Sequence, residues 1–383
     1  MTRMLASVAD AAEASVGVQF GADVIDLKDA RRGALGAVSL DIARQAVAAV
    51  AGRCETSAAL GDPPYDEDAL VAAARALAAI GVDTLKLAVD APRLDRLGDS
   101  LMRLAREVAL VGMMFADEQP DFALLAKLKE LSFKGAMLDT RDKTRGRLLA
   151  HLEVVQLNQF CSQCRALKLM SGLAGSLEAP DVPRLLLVRP DVLGFRGALC
   201  HAHDRRGAID PAAVVLIRDL IPRERTDPDV SPKIDWRLLA RGLIGGRDQE
   251  GELDRVFVHD FVVPAAIGAY DFERSIRQRV VFDVEALVRR AGAHPDDMRS
   301  IFSYDVILDA IRLVVGRGHV EFVETLAEEV AAALLQHARV RSVRVNIRKL
   351  DVIDGAVGVE IRRERASGAA DVRPTIGAVD RGA

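Results

Sequence analysis

At 383 residues and a formal net charge of -4, with half of its residues hydrophobic, the chain exceeds what one hydrophobic core accommodates and suggests two domains. That charge gives no basic field for nucleic acid or an anionic membrane surface, so the expected partners are small molecules and copies of the chain itself. No apolar run nears the roughly 20 residues of a membrane helix, and "MTRMLASVADAAEASVG" lacks the long apolar core of a signal peptide, which points to a cytoplasmic protein.

In chain order, short apolar strands alternate with Ala- and Leu-rich helical stretches up to about residue 221. The strands begin at "MLASV" (4–8), "VIDLK" (24–28), "CETSAAL" (54–60), "TLKLAV" (84–89), "LVGMMFA" (110–116), "GAMLD" (135–139), "LMSGLAG" (169–175) and "VLGFRG" (192–197). Between them run segments of helical period such as 66–81 and 93–109. Eight such units predict an α/β fold, a closed (β/α)8 TIM barrel over 1–221. The four cysteines are too few and scattered for a disulfide framework. "FCSQC" (160–164) lies in a helical stretch with no second pair and reads as packing, not zinc.

Catalytic side chains of such barrels project from the C-terminal strand ends, with phosphate held after strands seven and eight. Asp26 and Lys28 share one face at the end of the second strand, Lys86 lies in the fourth, Asp139 closes the sixth and Lys143 follows four residues on. An amine crowded by cations in a partly dry pocket loses proton affinity, and the neutral amine can attack a carbonyl to form a Schiff base. Lysines interleaved with carboxylates therefore suit an imine-forming lyase, although snorkelling lysines and a buried Asp26–Lys28 pair would account for the same residues. Gly175 and Ser176, then Arg196 and Gly197, offer N–H groups and a guanidinium to phosphate. His201, His203 and Asp204 fall in a loop-like segment with no further ligand and read as a solvated loop, so neither a metal nor a cofactor is expected.

The polar, Pro-containing stretch 222–252 breaks the alternation and reads as a linker, with "DWRLLARGLI" (235–244) as a short docking helix. From 253 to 365 the grammar changes to long strands (255–268, 277–288, 342–350, 355–364) and helices near 304–316 and 321–337, an α+β domain. Residues 366–383 are small and polar and read as a disordered tail.

"GADVIDLKDARRGALGA", "LGDPPYD", "VDTLKLAV", "AMLDTRDK", "LAGSL" and "GFRGALC", in this order and spacing over residues 4–221, resemble the (5-formylfuran-3-yl)methyl phosphate synthase family. The resemblance implies a barrel that condenses two molecules of glyceraldehyde 3-phosphate through a lysine imine toward the furan of methanofuran-type carriers. It implies Lys28 as the Schiff-base lysine, Lys86 as proton acceptor, and Asp26, Asp139 and Lys143 as supporting groups. "GMMFADEQPDF" at the fifth strand departs from the family pattern.

Beyond residue 254, "IGAYDFERSIRQRVVFDVE", "FSYDVI", "FVETLAEEVAAALL" and "VRVNIRKLDVIDGAVGVEI" resemble dihydroneopterin aldolase. The resemblance implies the tunnelling (T) fold, ring assembly into a homo-oligomer, and a pterin site between subunits. It also implies cleavage of dihydroneopterin to 6-hydroxymethyl-dihydropterin and glycolaldehyde without metal or imine. Glu324 matches the carboxylate that accepts from the pterin edge, Lys349 the acid/base lysine, and Tyr304 and Glu273 the groups near the substrate hydroxyls. Lys349-Leu350 replaces the family's Lys-Pro, which leaves aldolase, epimerase and oxygenase outcomes open. A bifunctional enzyme serving one-carbon carriers is the favoured expectation. A catalytic barrel joined to a purely ring-forming module is its rival.

Overall fold

The computed structural model describes residues 1–222, 253–290 and 301–365. Beyond its first residue the expected linker with its docking helix lies outside the described residues, as does the expected tail. The chain folds as two compact units, one built from the described residues up to 222 and the other from 253–290 and 302–365.

In the first unit β1 (Arg3–Val8), β2 (Val24–Leu27), β3 (Glu55–Ala59), β4 (Thr84–Ala88), β5 (Ala109–Phe115), β6 (Gly135–Asp139), β7 (Met170–Leu173) and β8 (Val192–Phe195) close into a parallel barrel in sequential order. The outer layer comprises α1 (Ala11–Gln19), α2 (Leu40–Val50), α3 (Glu67–Ile80), α4 (Ala91–Leu104), α5 (Leu124–Glu130), α6 (Leu148–His151), α7 (Val154–Ala166), α8 (Asp181–Leu186) and α9 (Pro211–Leu220). The strands read as near-continuous apolar runs because helices cover one face and the barrel interior the other. Several helices start at a side chain that satisfies free N–H groups of the first turn: Asp10, Ser39, Asp66, Asp90 and Asp210 each accept from one. The helix expected over 93–109 ends at Leu104, because the chain needs residues 105–108 to turn back into β5.

The barrel interior is layered. At its N-terminal end Glu55 accepts from Arg3 at 2.6 Å, Thr84 at 2.8 Å and Lys134 at 2.5 Å, a polar plug joining β1, β3, β4 and the loop before β6. Leu5, Val24, Ala59, Val111, Met113, Met137 and Val192 fill the middle. Charged side chains occupy the C-terminal mouth. Cys161 and Cys164 are buried on α7, where burial raises both thiols well above their usual range, as packing groups.

The second unit is a four-stranded antiparallel sheet of order β12-β11-β10-β9, with β9 Leu253–Ala265, β10 Gln278–Arg289, β11 Val340–Lys349 and β12 Val357–Glu364. Between β10 and β11 the chain forms α10 (Asp305–Val315) and α11 (Val323–Leu335). Strand alternation buries Phe282, Val284, Ala286, Val343, Val345 and Ile347, and the helices bury Ile307, Ile311, Val330 and Leu334. The alternate positions carry Asp283, Glu285, Arg344 and Arg348, cross-linked by ion pairs such as Arg348 to Asp283 at 2.7 Å.

Candidate active site

The mouth of the barrel encloses a cavity of about 170 Å³ lined by Asp26, Lys28, Lys86, Asp139 and Lys143, so all five charged residues singled out in this half meet in one place. Their pairing is not the Asp26–Lys28 contact of the alternative account. Lys86 Nζ lies 2.5 Å from Asp26 Oδ1, which also accepts from Ser57 Oγ at 2.6 Å. Lys28 Nζ instead faces Asp139 Oδ2 at 3.5 Å, while Lys143 Nζ donates to Asp139 Oδ1 and to Thr140 Oγ1 at 3.1 Å. Residues two apart on one strand point the same way, but β4 and β6, neither adjacent to β2, bring opposite charges to Asp26 and Lys28 inside the barrel.

Burial works against charge on Lys86 and Lys143. It lowers the proton affinity of Lys86, and the Lys28 charge adds to the effect against the pull of Asp26. Burial likewise brings Lys143 down to about 8, so that about a tenth of it is neutral near pH 7. Asp139 resists the opposite push of burial, because the charges of Lys143 and Lys28 hold its carboxyl well below the usual range.

Beside the amines lies a cradle of main-chain N–H groups of the kind that suits an anion. Gly175 has φ +120°, a conformation that suits glycine, and Ser176 follows at φ +51°. The main-chain N–H groups of Gly175, Ser176, Leu177, Gly197 and Ala198 have no protein acceptor among the described residues, and all five residues line the cavity. Arg196 requires a correction. Its guanidinium was expected to face phosphate, but it donates through Nε to Arg205 O, through Nη1 to Ser7 O and Glu13, and through Nη2 to Glu13 and Gly207 O. Those contacts use all five donors and pin the loop after β8 to β1 and α1. Arg205, which the sequence reading passed over, lines the same cavity half-buried, with no ion pair or hydrogen bond to its guanidinium among the described residues. The doubled arginine of "DRRG" was the available signal. His203 also lines the cavity, and no group of metal-ligating side chains occurs among the described residues.

In the second unit the expected residues form a pair and two outliers. Lys349 Nζ donates to Glu273 Oε1 at 2.7 Å, and Gln278 Nε2 donates to the same oxygen at 2.7 Å. Tyr270 N donates to Oε2 at 3.1 Å, and these contacts, the Lys349 bond first, pull Glu273 down to about 2. Gly268 at φ +142° makes room, since a Cβ there would sit 2.0 Å from the Glu273 carboxyl carbon. Gln278 is a buried positioning group that the sequence reading missed. Leu350, in place of the family's proline, donates its N–H to Arg279 O at 3.0 Å, a ladder bond that proline cannot make. Tyr304, 59% exposed, and Glu324, exposed on the first turn of α11, share no hydrogen bond with the buried Lys349–Glu273 pair among the described residues.

Comparison with known proteins covers both units. A family model described as 4-HFC-P synthase matches residues 4–218, and one described as dihydroneopterin aldolase matches residues 256–362. A Methylorubrum extorquens protein named provisionally as a (5-formylfuran-3-yl)methyl phosphate synthase is 43% identical over 212 residues, covering 55% of this chain and 88% of that one. The (5-formylfuran-3-yl)methyl phosphate synthase of Methanopyrus kandleri is 31% identical over 221 residues, covering 54% of this chain and 93% of its own. The crystal structure of dihydroneopterin aldolase from Burkholderia thailendensis, bound to guanine, is 34% identical over 30% of this chain and 92% of that chain, with a TM-score of 0.27.

Proposed function

The chain belongs to the 4-HFC-P synthase family, with a dihydroneopterin aldolase-like domain following the barrel, and on that premise we propose that it is a bifunctional lyase. Its barrel condenses two molecules of glyceraldehyde 3-phosphate to (5-formylfuran-3-yl)methyl phosphate, with loss of one phosphate and two waters. The observation that carries this reading is the gathering of Lys28, Lys86 and Lys143 around Asp26 and Asp139, beside the unpartnered N–H groups of the β7 and β8 loops.

Lys28 is the nucleophile. Its 3.5 Å contact to Asp139 is looser than the 2.5 Å contact that holds Lys86 on Asp26, so its amine leaves its partner at less cost. Neutral Lys28 adds to a substrate carbonyl and expels water to form the imine, which acidifies the neighbouring C–H bond. Lys86, its charge disfavoured by burial, accepts that proton with Asp26 behind it. Asp139 and Lys143 serve the proton transfers to the departing oxygens. The product keeps one phosphate of two, so one phosphoryl group must be held throughout. The N–H groups of Gly175, Ser176 and Gly197, with Arg205, suit that task.

The second unit cleaves dihydroneopterin to 6-hydroxymethyl-dihydropterin and glycolaldehyde. Lys349, oriented by Glu273, moves the proton, Glu324 accepts from the pterin edge, and Tyr304 meets the side-chain hydroxyls. Because Tyr304 and Glu324 are exposed and bond neither member of the buried Lys349–Glu273 pair among the described residues, the reading has a second copy of the chain complete the site. Apart from Met1 and Leu40, the exposed large apolar side chains among the described residues lie between Leu253 and Val357, which supports homo-oligomer assembly through this domain. The same exposure favours the rival reading, in which this domain only assembles the barrel.

Borohydride trapping with glyceraldehyde 3-phosphate, followed by peptide mapping, tests the barrel chemistry. The reading expects the adduct on Lys28, and an adduct on Lys86 would reverse the two roles.

A further inference from the structure

The barrel strands hold five buried hydroxyl side chains, and four of them bond a carboxylate. Thr56 and Ser171 donate to Asp83 and Asp191 at 2.8 Å, Thr84 to Glu55 at 2.8 Å, and Ser57 to Asp26 at 2.6 Å. Ser7, on β1 and 5% exposed, is the fifth. Its Oγ is buried and without a hydrogen-bond partner among the described residues, and the residue lines the catalytic cavity. An unmade bond on a buried hydroxyl costs about 1–3 kcal/mol, and alanine would fill the same place without that cost. The strand end is also fixed, since Ser7 O accepts from Arg196 Nη1 at 3.1 Å. The hydroxyl is therefore held in place with nothing to bond until the cavity fills.

Strand order says what would reach it. β1 pairs with β8 on one side and β2 on the other, and Ser7 stands in register with Asp26. The loop after β8 supplies part of the anion cradle, and β2 leads directly into Lys28. A three-carbon phosphate whose carbonyl carbon meets Lys28 and whose phosphate lies in the cradle must cross β1 with its middle carbon. Adjacent strands lie roughly 5 Å apart, so the crossing is no longer than such a molecule and the lysine stem can span together.

We propose that Ser7 is a specificity-determining residue, whose hydroxyl bonds the hydroxyl on the carbon next to the carbonyl of the bound aldose phosphate. This rests on the imine reading of the barrel. A site built to bond a substrate hydroxyl rejects the analogue that lacks it, because the protein group is then left unpaired.

The test uses the full chain and compares borohydride capture of glyceraldehyde 3-phosphate with that of its 2-deoxy analogue, 3-oxopropyl phosphate, over a concentration series, in the unsubstituted protein and in Ser7→Ala. The expected result is a preference of about tenfold or more for the hydroxylated aldehyde, falling to within about threefold in the variant. A preference unchanged by the substitution, whether both captures weaken together or neither moves, overturns the assignment and leaves the hydroxyl to structure or to water. If the unsubstituted protein captures neither aldehyde, the imine reading itself falls and takes this inference with it.

Discussion

Replacing Asp139 with asparagine probes the charge arrangement on which the barrel chemistry depends. Asp139 separates the amines of Lys28 and Lys143, and all three side chains are nearly buried. Even with the carboxylate present, Lys143 titrates at about 8 against an ordinary 10.5. That depression disfavours folding by about 3 kcal/mol wherever the unfolded lysine is charged and the folded one must be too, at 1.36 kcal/mol per unit. The cost is fully present below about 8 and fades as pH rises toward 10.5. In Asp139→Asn the compensating charge is gone, Lys143 moves further down, and two buried cations face each other. Breaking such a pair typically costs about 3–5 kcal/mol. Urea unfolding followed by circular dichroism at pH 6.5 and at pH 10 should therefore show a deficit of that order at the lower pH and at most half of it at the higher. An equal deficit at both pH values would show that the amines are not forced together by the missing carboxylate, and the electrostatic account of the site would be refuted.

Arg205→Ala should raise KM for glyceraldehyde 3-phosphate by about 10- to 100-fold, the worth of a charge-assisted contact. Arg196→Ala should instead lower the melting temperature, because five contacts of the β8 loop vanish with it. Glu55 is held at about 2 against an ordinary 4.5, chiefly by Lys134 and Arg3 overcoming burial, so its contribution to stability is present above pH 4.5 and lost as pH falls toward 2. Glu55→Gln should flatten the acid limb of the stability profile measured by thermal unfolding. Lys349→Ala should cut glycolaldehyde release from dihydroneopterin by about 10²- to 10⁴-fold, and normal turnover in that variant would favour the assembly-only reading.

The barrel was legible because its strands are apolar runs punctuated at regular spacing. "GAMLD" coincides with β6, and the other barrel strands fall within about two residues of their expected ends. The gathering of Asp26, Lys28, Lys86, Asp139 and Lys143 was legible for a related reason: strand period and barrel closure bring strand-end residues to one mouth. Partner choice was not, since it depends on distances across the barrel that no local pattern encodes. Arg196 illustrates the point, because the carboxylate that captures it, Glu13, lies 183 positions away. Ser7 stayed hidden for the opposite reason, since a missing bond leaves no trace in a sequence. In the second unit the strands and helices followed their periodicities, whereas the burial of Lys349 against the exposure of Tyr304 and Glu324 emerges only from the folded arrangement.

The central claim is that the barrel makes a furan from a triose phosphate. Incubating the full chain with glyceraldehyde 3-phosphate alone and identifying the products by mass spectrometry tests it most directly. The account predicts (5-formylfuran-3-yl)methyl phosphate with one equivalent of inorganic phosphate, and loss of both in Lys28→Ala. Unchanged substrate, or furan formation that survives the loss of Lys28, would contradict it.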